Sequence, residues 1–389
     1  MNIVTVFAGR EPNLKILVKY LQKALELKMI DEVHLWNNTR NSHDEFYLKS
    51  ISNLKRISST SNYVEITPEI IDNSFEININ KAHIKISQID ELNQNNIEII
   101  LDSTKSIIVQ NNVEILEFQP LTENIKISIK DHLSIYKNNE LIVDHPIDYF
   151  DIKKVEIKST VSVDINYKTT KNHKFYFMDT CEKSWKNYYQ YYDKPKYVDD
   201  IILKCDDDIV FIDLNKLPKF IEFVKNNDYD LVLANTINNG VSAYFQQNRY
   251  NLIPKSLMTL EYPHNGFCGT LWESGQKAEI LHNYFIQNYE KFLIDRNESI
   301  QINTRFSINF FGYKGKNWHK IKDCYEQDEH NLTVDYVENR KFKNIFYSDF
   351  YVSHLSFFRQ NETGINLYDL VIKYDEFYDR FINDIQIEN

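Results

Sequence analysis

The sequence predicts an α/β domain with a mostly parallel sheet, interrupted by an inserted all-β sandwich domain. Two observations predict this. Strand–helix–strand units with short connections stand at both ends of the chain, and a middle stretch carries its apolar residues at every second position. The shift between the two styles is sharp and divides the chain into 1–62 (α/β, first part), 63–170 (β-sandwich) and 171–389 (α/β, second part).

The first strand is Ile3 to Phe7, and Leu14, Leu17, Val18, Leu21 and Leu25 follow at helical spacing. A second apolar strand, Val33-His34-Leu35-Trp36, ends in the polar run Asn37-Asn38-Thr39-Arg40, which completes a βαβ unit. In the middle stretch Phe75, Ile77 and Ile79 alternate with polar residues, as do Ile84/Ile86, Ile97/Ile99 and Ile125/Ile127/Ile129. Asn138-Asn139 reads as a hairpin turn. The α/β style returns with the strand Phe175–Met178, and Trp185, Tyr188, Tyr189 and Tyr192 then line a helix face. The strand Asp200–Leu203 runs straight into Lys204-Cys205-Asp206-Asp207-Asp208, and Leu217, Phe220, Phe223 and Val224 mark the next helix before a strand at Leu231–Ala234.

The totals exclude several function classes. At 389 residues, with 42% hydrophobic and 26% charged residues, the chain can bury a sizeable core. Its formal charge of −11 argues against a nucleic-acid partner, because phosphate backbones are bound by clustered Lys and Arg. Cys181, Cys205, Cys268 and Cys324 form no C-x-x-C pair, so neither a zinc cluster nor a disulfide scaffold is expected. The N-terminus reads as a strand rather than a signal peptide, and there is no run of 18 or more apolar residues. A cytoplasmic protein is the expectation.

The chemistry concentrates at Asp206-Asp207-Asp208. Three consecutive carboxylates directly after a buried strand repel one another unless something neutralises them. In open α/β sheets ligands bind beyond the carboxyl ends of the strands, and Asp-x-Asp there suits a hard cation such as Mn²⁺ or Mg²⁺. The competing reading is a solvated acidic turn.

A strand-terminal D-x-D in a split βαβ architecture resembles the GT-A glycosyltransferases, which have a Rossmann-like fold. Asp206 and Asp208 match the ends of that motif, and the likeness spans about 1–62 and 172–360. It implies a metal held by Asp206 and Asp208 that grips the diphosphate of a nucleotide-sugar donor, a UDP-sugar first among them. It also implies nucleotide contacts from Ala8, Gly9, Arg10, Asn37, Lys204, Asp206 and Asp207. For Gly9 and Arg10 the alternative is a tight turn that caps a helix. Many family members complete the metal shell with a C-terminal His, a place taken by His354; a late apolar strand could equally hold it as a core residue. An inverting member needs a carboxylate to take the acceptor proton, and Asp328 or Glu329 stands where that base is expected. N-terminal helix charge is the alternative for both.

Asn235, Asn238 and Trp272 are further candidates for sugar contacts, since amides suit hydroxyls and aromatic faces suit C–H surfaces; a purely structural role is the favoured alternative for each. In a chain with only eight glycines, Gly266 and Gly269 mark a bend or a close ligand approach. The insert is similar, in length and strand rhythm, to the galectin-like and farnesoic-acid-methyltransferase-type β-domains that accompany carbohydrate enzymes. The insert either binds glycan or only packs against the catalytic domain; a glycan or glycoprotein acceptor is the expected partner of the transferase. Two other functions fit less well: a non-catalytic carbohydrate-binding protein on a degenerate transferase scaffold, and a metal-dependent nucleotidyltransferase, for which no Gly-rich phosphate loop is present.

Overall fold

The computed structural model describes residues 1–57, 62–66, 70–79, 82–89, 94–102, 104–121, 123–129, 132–138, 140–147, 154–159, 164–169, 174–180, 185–266, 268–324, 327–383 and 385. Two compact units emerge: one of residues 1–34, 38–44 and 184–389, the other of residues 35–37 and 45–183.

The first unit is α/β. Its sheet runs in the order Ile209–Ile212, Asn344–His354, Leu231–Ile237, Phe310–Lys314, Ile201–Asp206, Asn2–Ala8. The predicted helix forms over Glu11–Glu26, and all five of its apolar marker residues are buried. Asn2–Ala8 and Ile201–Asp206 pair in parallel, as do Leu231–Ile237 and Asn344–His354. Phe310–Lys314, however, runs antiparallel to both its neighbours, and Ile209–Ile212 is antiparallel to Asn344–His354. The sheet is thus mixed rather than mostly parallel. The reversed strand, Phe-Phe-Gly-Tyr-Lys, is short and buried without alternation, so its sequence carries no period by which to recognise it.

The second unit contains two antiparallel sheets. One has five strands, in the order Glu140–Pro146, His132–Lys137, Glu123–Ile129, Ile70–Ile79, Asp164–Thr169. The other has six: Asn62–Ile66, Lys154–Ser159, Ala82–Ile89, Gln94–Leu101, Ser106–Gln110, Val113–Phe118. Ile84, Ile86, Ile97 and Ile99 from one sheet and Ile125, Ile127 and Ile129 from the other join a single apolar core. The alternation exists because each strand turns one face to that core. Asn138, at φ 50°, makes the predicted turn between antiparallel strands, while Asn139 lies outside the described residues. A parallel pair, Asn53–Ile57 with Phe175–Thr180, also belongs to this unit. Among the described residues no helix is long and apolar enough to cross a membrane.

Candidate functional site

The buried strand Ile201–Asp206 ends at the first aspartate, and Asp207 and Asp208 form the turn into Ile209–Ile212. Parallel pairing sets Phe7 level with Asp206, so the residues after the first strand arrive beside the acidic turn. Gly9 donates its backbone N–H to Asp207 Oδ2 at 2.8 Å. Its backbone also passes so close to the next loop that a Cβ there would stand 2.8 Å from the Asn38 carbonyl oxygen. Ala8 takes part through its carbonyl, which accepts from the Asn38 N–H at 2.9 Å.

The three carboxylates are neutralised unequally. The Arg10 guanidinium donates to Asp207 through Nε (3.1 Å to Oδ1) and Nη2, and Nη2 also lies 2.9 Å from Asp208 Oδ2. Asp206 is bound by Lys204 Nζ and by Asn309 Nδ2 at 3.0 Å. Lys204 is itself buried, and its Nζ donates to the Ile308 carbonyl at 2.7 Å. Burial raises the pKa of Asp207 despite Arg10 and Gly9. Burial also opposes the charge on Asp208, but His354 and then Arg10 outweigh it and hold that carboxyl well below the usual range. For Lys204 the desolvation cost is overcome by Asp206 and then Asp328, so its pKa rises.

His354 ends the strand Asn344–His354, opposite Ile209, and is buried. Its Nε2 lies 3.2 Å from Asp208 Oδ2, while Leu355 N–H donates to the Asp208 carbonyl at 2.9 Å. Asp206, Asp208 and His354 each offer a ligand atom, and these atoms lie within 4.8 Å of one another. Asp208 Oδ1 and His354 Nδ1 are buried with no hydrogen-bond partner among the described residues. Two carboxylates and an imidazole, with two unmatched polar atoms, fit a divalent cation such as Mn²⁺ or Mg²⁺.

Asp328 and Glu329 begin a short helix, Asp328–His330; Tyr325 and Glu326 lie outside the described residues. Tyr189 donates its hydroxyl to Asp328 Oδ2 at 2.9 Å, and Asp328 Oδ1 accepts from the Glu329 N–H at 2.9 Å. Glu329 accepts from Arg305 Nε at 2.6 Å, yet burial, opposed by Arg305, leaves its pKa raised. The electrostatic link from Lys204 reaches both acids, which ties this helix to the acidic turn. Asn37 ends the strand Glu32–Asn37, is buried and belongs to the second unit.

Asn235 and Asn238 take the structural role that was the alternative to sugar contact. Asn235 is fully buried, donating to the Ser348 carbonyl at 2.9 Å and accepting from Gln246 at 2.8 Å. Asn238, also fully buried and at φ 67°, donates to Gln360 Oε1 at 2.9 Å and reaches the carbonyls of His354 and Leu355 at 3.3 Å. It therefore holds the end of the histidine strand. Trp272 is half-buried against Phe357, ring centroids 4.9 Å apart, and Phe357 in turn packs on His354 at 4.3 Å. Gly269, at φ 120°, makes the predicted bend; Phe267 lies outside the described residues. Sequence reasoning missed Tyr189 and Asn309. Asn309's one visible signal is an amide just before an otherwise apolar strand.

A second acid–histidine group, Glu11, His43 and Asp44, also has ligand atoms within 4.8 Å of one another. Its carboxylates have partners. Asp44 accepts from the Glu11 N–H at 2.9 Å and from Asn41 Nδ2 at 2.6 Å, and Glu11 pairs with Lys15 and His43, each at 2.7 Å.

No protein-family model matches the chain, and no curated protein sequence matches it. Among solved structures, the chain is similar to Xenopus laevis galectin-Ib at 14% identity and TM-score 0.20, over 27% of this chain and 99% of that one. It is similar to chicken galectin 2 at 9% identity and TM-score 0.20, over 27% of this chain and 99% of the other. The carbohydrate binding module CBM66 from Bacillus subtilis matches at 14% identity and TM-score 0.20, over 28% of this chain and 80% of the module. Galectin-like and carbohydrate-binding β-sandwich neighbours at low coverage, beside a mixed α/β sheet that carries a D-x-D-like Asp206/Asp208 group, are what the comparisons and the fold provide.

Proposed function

We propose that the chain is a metal-dependent glycosyltransferase that moves a sugar from a nucleotide-diphosphate sugar to the hydroxyl of a glycan or protein acceptor. The observation that carries this reading is the convergence of Asp206, Asp208 and His354 at the ends of two strands far apart in sequence, with two buried polar atoms unmatched. Asp206, Asp208 and His354 would hold the cation, which supplies positive charge to a departing diphosphate.

The remaining roles fall to the chain's own residues. Lys204 and Asn309 fix the rotamer of Asp206. Arg10 orients Asp207 and Asp208, and with half of its side chain exposed it is also available to a phosphate oxygen. Asp328 suits the general base better than Glu329, because among the described residues it accepts only from neutral donors whereas Glu329 is ion-paired with Arg305. In an inverting reaction Asp328 takes the acceptor's hydroxyl proton as the oxygen bonds to the anomeric carbon, and the nucleoside diphosphate leaves with the electron pair of the broken bond.

The test is a panel of nucleotide sugars, UDP-sugars first, measured by thermal shift with and without Mn²⁺. A stabilisation that needs both one nucleotide and the metal is expected, because a ligand that binds only the folded state raises its apparent stability. No shift in any combination would overturn the proposal.

A further inference from the structure

We infer that the α/β unit carries a second ligand site, a lysine-rimmed cavity for a small organic anion such as an aryl or alkyl phosphomonoester, at the end of the first strand opposite the acidic turn. The half-open cavity has a volume of about 850 Å³ and is lined by Asn2, where that strand begins, by the turn after the first helix and by one side of the helix Leu217–Asn226. The strand's seven residues set it roughly 20 Å from the acidic turn at ~3.3 Å per residue. Its volume lies within the range of small-molecule sites.

Four lysines line it: Lys28, Lys216, Lys219 and Lys225. The acids facing them are Glu222 in the wall, Asp295, which binds Lys216 and lies 3.4 Å from Lys219, and the buried Asp213, which Lys216 also faces. Four positive charges against three acids leave a positive excess, in a chain whose formal charge is −11. Asp295 holds Lys216 and Lys219 in place, and neither Lys28 nor Lys225 has an ion-pair partner among the described residues. Such an excess attracts an anion. The rest of the wall is partly apolar: Leu27, Met29, Ile221 and Leu293 border the same space. A bare ion would leave that surface wet, whereas a phosphate or carboxylate on an apolar body would satisfy both parts. Nothing in this inference depends on the proposed transferase reaction.

The test is calorimetric titration of the intact chain with phenyl phosphate and with inorganic phosphate, in excess chelator so that no metal-dependent binding at the acidic turn contributes. Lys28→Gly with Lys225→Gln removes the two unpaired charges. Lys28 stands at φ 56°, a conformation glycine adopts without strain, so this variant should fold. Saturable phenyl phosphate binding, tighter than that of phosphate and at least about tenfold weaker in the double variant, is expected. A charge-matched control, Lys255→Gln with Lys316→Gln on exposed positions elsewhere, should leave the affinity unchanged. No saturable binding, equal affinity in the cavity variant, or equal weakening in the control would overturn the inference.

Discussion

The α/β unit holds two groups with the same ingredients and opposite prospects. Asp206, Asp208 and His354 form one, and Glu11, His43 and Asp44 the other, each with ligand atoms within 4.8 Å. In the first, Asp208 and His354 are buried and each keeps a polar atom with no partner among the described residues. In the second, His43 is 81% exposed and Asp44 bonds one backbone N–H and one amide. Proximity of acids and imidazoles is thus a poor guide to a metal by itself. What distinguishes the groups is polar demand: an unmatched buried oxygen or nitrogen costs free energy that a cation would recover, whereas a bonded one must first give up its partner.

The largest effect expected from this contrast comes from Asp208→Asn. The amide keeps the shape and removes the charge, so stabilisation by Mn²⁺ and sugar transfer should both fall by at least about 100-fold with the fold intact. Asp44→Asn should leave the Mn²⁺ response where it was. Circular dichroism checks the fold, and titrating Mn²⁺ against thermal stability reads the effect. An undiminished metal response in Asp208→Asn would erase the distinction.

Much of one half of this picture was legible in the sequence, and less of the other. The isoleucines that alternate in the second unit lie in its core because period two matches a strand with one buried face. The acidic turn was visible because an apolar strand stops abruptly at three charges. Its partners were not. Arg10 and Gly9 were marked as nucleotide contacts or as a tight turn, and their bonds to Asp207 come from the parallel register of strands nearly two hundred residues apart. The same holds for Tyr189 and Asp328, whose bond depends on tertiary packing that no local period encodes. The Glu11 group was not singled out, because Glu11 and Asp44 stand 33 residues apart and no local pattern couples them.

A smaller effect should follow from exchanging the histidines. His354→Ala removes a neutral ligand and leaves both carboxylates, so the Mn²⁺ affinity should drop by about 10- to 100-fold without vanishing. His43→Ala, on an exposed side chain, should shift it by less than about twofold. If both variants lowered the affinity equally, the cation would be meeting general acidic surface rather than the turn.

The smallest effect is the one that gives the second group a role of its own. Asp44 accepts from the backbone N–H of Glu11, the first residue of the helix Glu11–Glu26, while Arg10 in the N-cap position makes no side-chain cap bond. The carboxylate is therefore a cap supplied from a distant loop, satisfying one of the donors that a helix start leaves unpaired and opposing the positive end of its dipole. Asp44→Ala should cost about 1 kcal/mol, the usual worth of such a cap, and lower the melting temperature by about 2–4 °C. It should do so equally with and without Mn²⁺, and that equality is the sharper measurement. A loss of stability appearing only in the presence of the metal would make Asp44 a ligand after all, and the contrast between the two groups would then be one of affinity rather than of kind.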